Sequence, residues 1–128
     1  RITDRIPTEI CLPAVGQGAL AIETRDDDAE VNRLIGRLDH PDTRACVRAE
    51  RSLLRALGGG CQVPIGALGT IADGRLNLSG VIAGLDGSRL VRGEICGSPG
   101  DADSLGEELS GILLAGGGKE ILGEMVRG

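Results

Sequence analysis

The chain has 128 residues, of which 41% are hydrophobic and 26% are charged, a balance typical of a globular protein with one domain or little more. The formal net charge is -5, the basic residues form no long run, and no apolar run reaches the roughly 20 residues of a membrane span, which argues against nucleic-acid and membrane partners. Phe, Tyr and Trp are absent and 22 residues are glycine, so we expect a modest aliphatic core that depends on a neighbouring unit.

The first part of the chain predicts a loop, a turn, a strand and a helix. Residues 1–12 predict a loop that leads into a short strand, residues 13–18 a glycine-rich turn, and residues 19–24 a strand. Asp27 and Glu30 have the spacing of a helix capping box. The apolar residues that follow recur at helical spacing and predict one face of a helix. They are Val31, Leu34, Ile35 and Leu38.

A second helix is predicted over residues 43–57. His40 lies in the break before it, where we expect it to cap or pack rather than to catalyse. Gly58 begins a run of three glycines, and glycine is typical just past a helix C-terminus. The apolar side of this helix consists of Cys46, Ala49, Leu53 and Leu57. Its arginines predict either carboxylate binding or, more usually, a solvated face with Glu50 nearby. They are Arg48, Arg51 and Arg55.

Three apolar runs then predict an antiparallel meander. They cover residues 63–72, 76–85 and 89–95. Asp-Gly pairs at 73–74 and 86–87 separate them and predict tight hairpins, because both residues of such a turn adopt positive φ. Pro64 indicates that the first strand is entered late or lies at a sheet edge.

The last part of the chain is helical in pattern. Ser104 and Glu107 have capping-box spacing at the start of a helix, the glycines at 116–118 break it, and a short last helix follows. The apolar residues of the two helices are Leu105, Leu109, Ile112, Leu113, Ile121, Leu122 and Met125. We therefore predict an α+β fold in which helices cover one face of a three-stranded antiparallel sheet.

Cys61 is the residue that the local sequence singles out for chemistry. It follows three glycines between a predicted helix end and a predicted strand, where the backbone leaves room for a bulky group. From the residues alone, a half-buried cysteine that acts as a small hydrophobe is the more frequent case. The four cysteines are widely spaced, which favours reduced thiols and leaves a zinc site with His40 without support from spacing.

Two motifs resemble the porphobilinogen deaminase (hydroxymethylbilane synthase) family. The first is LPAVGQGALAIE over residues 12–23. The second combines AER at residues 49–51 with GGCQVPIG over residues 59–66, and it is similar to the cofactor-attachment signature of that family. The match is strong over residues 7–67, and the helix, meander and helix downstream agree with the third domain of the family.

The resemblance implies an enzyme that joins four porphobilinogen molecules into hydroxymethylbilane and releases ammonia, a transferase of haem and tetrapyrrole biosynthesis in the cytoplasm. It implies a dipyrromethane cofactor bound to Cys61 through a thioether. Cofactor-binding candidates beside Cys61 are Gly59, Gly60, Gln17 and Gly18. The catalytic aspartate of the family and most arginines for the substrate carboxylates would lie upstream of Arg1, so we expect no catalytic residue in this chain and no activity from it alone.

The resemblance also divides the chain. Residues 1–39 would be a remnant of upstream α/β domains, whose missing part would be their partner, and residues 40–128 the C-terminal cofactor-anchoring domain. Two alternatives from other classes stay open at this point. One is a non-catalytic α+β module that binds a ligand or a partner chain through its open sheet face, and the other is a metal-binding module.

Overall fold

The computed structural model describes residues 1–59 and 64–125, with the backbone alone at Met125. Its strands are β1 (Ile65–Ala72), β2 (Arg75–Ala83) and β3 (Leu90–Gly97). Its helices are α1 (Ala29–Ile35), α2 (Pro41–Ala56), α3 (Ala102–Leu113) and α4 (Lys119–Met125). The strands form one antiparallel sheet in the order β1-β2-β3, and α2 and α3 pack together against it. The predicted α+β class and the meander are confirmed.

Alternation along the central strand decides which face of the sheet meets the helices. Leu76, Leu78 and Ile82 of β2 point to the helices and are fully buried, whereas Asn77 and Ser79 point to the other face and are half-buried. Period-2 alternation is what a sheet with one covered face requires.

Small residues let the helices approach the sheet and each other closely. A Cβ at Gly80 in β2 would lie 2.8 Å from Leu53 Cδ2, and a Cβ at Gly106 in α3 would lie 2.5 Å from the carbonyl oxygen of Ala49 in α2. Only glycine allows an approach this close. The core is therefore filled by bringing the helices and the sheet together and not by large aromatic side chains. The core is therefore thin and aliphatic, as the composition predicts.

The two ends of α2 confirm the sequence predictions. His40 is the N-cap residue, and its Nδ1 accepts a hydrogen bond from the backbone N–H of Thr43 at 3.2 Å. At the other end Gly58 has a φ of 74°, its N–H donates to the carbonyl of Arg55, and the N–H of Gly59 donates to the carbonyl of Leu54. This pair of bonds is the Schellman motif, in which a left-handed glycine ends the helix.

The two predicted hairpins differ. Asp73 and Gly74 have φ of 50° and 71°, as the tight turn requires. At the second position only Gly87 of the Asp-Gly pair has positive φ, so the tight turn predicted there is wrong. The N–H of Gly84 donates to the carbonyl of Arg89 at 2.8 Å and closes a longer loop. β1 begins at Ile65, directly after Pro64, and lies at a sheet edge, both as predicted.

Three other local predictions are wrong. Residues 19–24 form no strand, because no described residue pairs with them and a strand needs a partner. Asp28, not Asp27, caps α1, and its side chain accepts from the N–H of Val31. Ser104 lies inside α3, because a 3-10 helix that starts at Pro99 brings the helix start forward.

We expect Gly106→Ala and Gly111→Ala, two identical changes on α3, to shift stability in opposite directions. The new methyl at position 106 would meet the backbone of α2, and such overpacking costs about 1–3 kcal/mol. No atom lies within 4 Å of the Cβ position at Gly111, where alanine gains up to about 1 kcal/mol of helix propensity. Urea-unfolding midpoints of the parent and both variants test this, and equal midpoints would contradict the close packing of α2 and α3.

Candidate functional site

Residues 12–18, here called the 12–18 segment, lie along the free edge of β1. Ala14 forms an antiparallel bridge with Gly66, and the N–H of Ala67 donates to the carbonyl of Pro13 at 3.0 Å. An edge strand exposes unpaired backbone groups, and the segment satisfies some of them. It therefore acts as a partial fourth strand beside the start of β1.

The Glu50 carboxylate joins the 12–18 segment to the sheet. The residue is only 6% exposed. Its Oε2 accepts from the N–H of Gly16 at 2.7 Å, and its Oε1 accepts from the N–H of Gly69 in β1 at 2.8 Å. A buried carboxylate is tolerated when hydrogen-bond donors satisfy its oxygens. One side chain of α2 thus holds the turn and the strand together.

Sequence reasoning placed Glu50 beside a solvated arginine face and missed this role. The helical spacing holds the signal that would have found it. Glu50 follows Cys46 by four residues and precedes Leu53 by three, which puts it on the buried side of α2. An acidic residue on an apolar stripe needs buried donors, although the spacing does not say which ones.

The turn itself leaves Gln17 and Gly18 exposed. Gly16 and Gly18 have φ of 72° and 88°, and Gln17 Oε1 accepts from the N–H of Ala14 at 3.1 Å. Apart from its chain neighbours, no atom of the described residues lies within 4 Å of the Cβ position at Gly18. Open space beside a glycine backbone fits the close approach of a bound group.

The other predicted site residues lie at the C-terminal end of α2 or beyond it. Gly59 is exposed and is fixed by its bond to the carbonyl of Leu54. Gly60 and Cys61 lie outside the described residues. The chain is described again from Pro64, whose carbonyl accepts from the N–H of Ala83 at 3.1 Å.

The segment that leads into the turn also contacts the outer face of the sheet. Arg92 of β3 donates to the carbonyls of Glu9 and Thr8 at 2.6 and 3.1 Å. A Cβ at Gly66 would lie 3.1 Å from the Cβ of Leu12. Residues 8–18 therefore run from β3 across to the free edge of β1, and part of the face that the binding-module alternative left open is covered.

The three arginines predicted to share a face of α2 do not form one binding site. Arg48 forms an ion pair with Asp103 of α3, and Arg55 lies 3.6 Å from the other oxygen of the same carboxylate. Arg51 faces an open cleft of about 750 Å³ between α2, residues 18–22 and the end of α1. Exposed ion pairs of this kind contribute little to stability. The face is mainly solvated, as the more usual interpretation had it.

The N-terminal part of the chain buries little apolar surface. None of the residues of α1 is buried, although its apolar stripe is present as predicted. Leu20 is 98% exposed and Ile2 80%. Among the residues that the structure describes, these side chains have no core to join.

The described cysteines differ in environment. Within the described part of the chain, no three His, Cys, Asp or Glu side chains lie together so that they could hold a metal ion. Cys11 and Cys96 are exposed, and Arg75 Nε lies 3.0 Å from the sulfur of Cys96. Burial raises the pKa of the Cys46 thiol, and the carboxylates of Glu50 and Asp42 raise it further.

In the same described ranges, no helix has the length and apolarity needed to cross a membrane.

Comparison with known proteins identifies the family. Residues 44–115, more than half of the chain, match the model of the porphobilinogen deaminase C-terminal domain, and residues 1–33 match the model of the porphobilinogen deaminase dipyromethane cofactor binding domain. The chain belongs to the porphobilinogen deaminase family, as the two motifs indicated. The 12–18 segment falls in the second match, whereas Glu50 and β1 fall in the first.

Several curated relatives agree with this assignment. A porphobilinogen deaminase of Desulforudis audaxviator is 54% identical over 128 residues, which are 100% of this chain and 41% of that protein. Those of Pelotomaculum thermopropionicum and Moorella thermoacetica are 53% and 52% identical, over 94% of this chain and 39% and 38% of their own lengths. The chain thus spans about two fifths of the length of these relatives.

Cys46 should react with iodoacetamide at least about tenfold more slowly than Cys11 in the folded protein. Its raised pKa lowers the thiolate fraction near pH 8, and burial blocks the reagent. Peptide mass spectrometry in a Cys61→Ala background would measure both rates. In denaturant the two rates should converge, and equal rates in the folded protein would show that Cys46 is not buried as described.

Proposed function

We propose that this chain is part of an enzyme that polymerises four porphobilinogen molecules into hydroxymethylbilane with release of ammonia, a transferase step of tetrapyrrole biosynthesis. One observation carries the proposal. The 12–18 segment, which matches the cofactor binding domain of the family, is hydrogen-bonded to the C-terminal domain along β1, and Gly66 of β1 is five residues from Cys61. Five extended residues span at most about 18 Å, which is the longest reach that the proposal allows between Cys61 and Gly66.

In this proposal Cys61 is the covalent anchor of the dipyrromethane cofactor. Its sulfur adds to the methylene carbon of an azafulvene, a C–S bond forms, and the thiol proton ends on the pyrrole nitrogen. A thioether survives repeated acid–base steps, and the cofactor then supplies the pyrrole carbon to which the next unit is joined. Gly59, expected from the sequence to leave room, instead packs closely on Leu54, 2.5 Å from a Cβ position to Leu54 Cγ, so in this proposal the exposed Gln17 and Gly18 line the space for the bound pyrroles.

We also propose that residues 1–39 pack against upstream domains of the same polypeptide and that residues 40–128 form the anchoring domain. The unburied α1 and the exposed side chains of Leu20 and Ile2 support this division, because such surface needs a partner in a stable protein. The partners in this proposal are therefore the remaining domains and porphobilinogen. An anchor thiol must be reduced, so this proposal includes a reducing compartment such as the cytoplasm.

The intact mass of the full-length parent protein tests the anchor. We expect an adduct of two linked pyrrole units on the parent and none on Cys61→Ala, because the family resemblance implies a single anchor at Cys61. Cys11→Ala, which removes an exposed thiol in the same chain, is the matched control and should keep the adduct. An unmodified parent mass, in folded protein made with its precursor available, would leave the binding module as the better account.

The isolated 128-residue chain should consume no porphobilinogen at a measurable rate. The catalytic aspartate that the family resemblance implies is outside it, and two of its candidate carboxylate-binding arginines are paired with Asp103. A colorimetric assay of porphobilinogen, run on the chain and on the full-length parent at equal concentration, measures this. Circular dichroism would first establish that the chain is folded, and turnover by the folded chain would refute the prediction.

A further inference from the structure

Three separate parts of the chain meet at the Glu50 carboxylate. Glu50 is carried by α2, Gly69 lies 19 residues further along in β1, and Gly16 lies 34 residues earlier in the 12–18 segment. Both donors are backbone N–H groups. Unlike the head group of a lysine or arginine side chain, a backbone donor cannot swing away, so the two bonds fix the positions of two main chains relative to each other.

The bond to Gly16 holds the side of the turn that the backbone bridge does not. The bridge to Gly66 and the bond from Ala67 engage residues 13 and 14, at the entrance of the turn. Gly16 lies at its tip, next to Gln17 and Gly18, and beyond it residues 19–24 form no strand. Removing the carboxylate would leave the N–H of Gly16 without its acceptor and would free the tip to move.

We infer that Glu50 is a positioning residue, which holds the exposed Gln17–Gly18 tip in one place against the sheet while successive pyrrole units are added. This role rests on the proposed function. Glu50 does not touch substrate or cofactor and acts through the turn. Misplacing a binding group by about 1 Å costs up to roughly a hundredfold in rate, so a loosened tip should reduce turnover even in a folded protein.

The experiment compares Glu50→Ala, Glu50→Gln and Ser52→Ala in the full-length protein. Ser52 is the matched control, because it lies on the same helix, is 2% exposed, and donates to the carbonyl of Asp103 in α3 rather than to the turn. Hydrogen exchange of peptides that contain Gly16 or Gly69 reports on the two bonds directly. kcat and KM for porphobilinogen are measured at a temperature at which each variant is fully folded.

We expect Glu50→Ala to speed exchange at both glycines and to lower kcat at least about tenfold, and Ser52→Ala to do neither. Glu50→Gln keeps one acceptor oxygen and sets an amide donor against the other N–H, so it should lose protection mainly at one glycine. If Glu50→Ala does not fold, the same measurements on Glu50→Gln test the inference. Across all variants, kcat should fall as the hydrogen-exchange rate at Gly16 rises, and it should not correlate with the melting temperature.

Two results would overturn the inference without touching the proposed function. Equal kcat for folded Glu50→Ala and Ser52→Ala, in a parent that turns over porphobilinogen, would reduce Glu50 to a stabilising residue and leave the proposed function standing. Unchanged exchange at Gly16 in Glu50→Ala would show that the bond does not hold the tip. A folded parent that lacks turnover would instead refute the proposed function, and this role with it.

Discussion

The backbone contact between α2 and α3 at Gly106 is the constraint on which the rest of the structure depends. With no aromatic side chain available, the core gains its burial by bringing backbones together, and Gly106 lets α3 approach Ala49 closely. The residue after Ala49 is Glu50, so the contact that packs the helices also determines where the carboxylate lies. A helix displaced by a larger side chain would move the carboxylate away from both of its donors.

The edge of the sheet is where the structure attaches the segment that carries Gln17 and Gly18. β1 is an edge strand, and an unpaired edge is a hazard that proteins cover. Here the cover is the 12–18 segment, which belongs to a different family match from the domain that it covers. Arg92 extends the same attachment across the outer face to residues 8–9.

Local signals in the sequence were sufficient for much of the fold. The Asp73-Gly74 turn and the glycine end of α2 depend on φ preferences of single residues, and the buried side of α2 depends on helical spacing. Each of these is decided within a few residues, which is why they could be predicted. Two predictions were wrong, the capping box at Ser104 and the tight turn at Asp86. In the first case the local sequence allows more than one helix start, and in the second it allows more than one loop length.

The remaining features could not be predicted because they depend on distant parts of the chain. Residues 19–24 alternate like a strand, yet a strand exists only where another strand pairs with it. For the site, the motifs indicated Gln17 and Gly18, and the structure places both in an exposed turn that follows the bridge of Ala14 to β1, with Gly18 at the cleft beside α2. The role of Glu50 required coordinates, because its donors are 19 and 34 residues away and carry no side chain that a sequence pattern would reveal.

The carboxylate at position 50 contributes geometry as well as stability. An apolar side chain would fill the same space but would leave the N–H groups of Gly16 and Gly69 without acceptors, and an unsatisfied buried donor costs about 1–3 kcal/mol. A carboxylate adds what an apolar group cannot, two directional bonds that hold two glycine backbones at a defined separation. The Ala14 bridge to Gly66 and the close packing of Gly69 against Cys46 act on the same geometry, and the carboxylate adds the bond to the tip of the turn. Geometry at the turn is therefore what the buried charge provides.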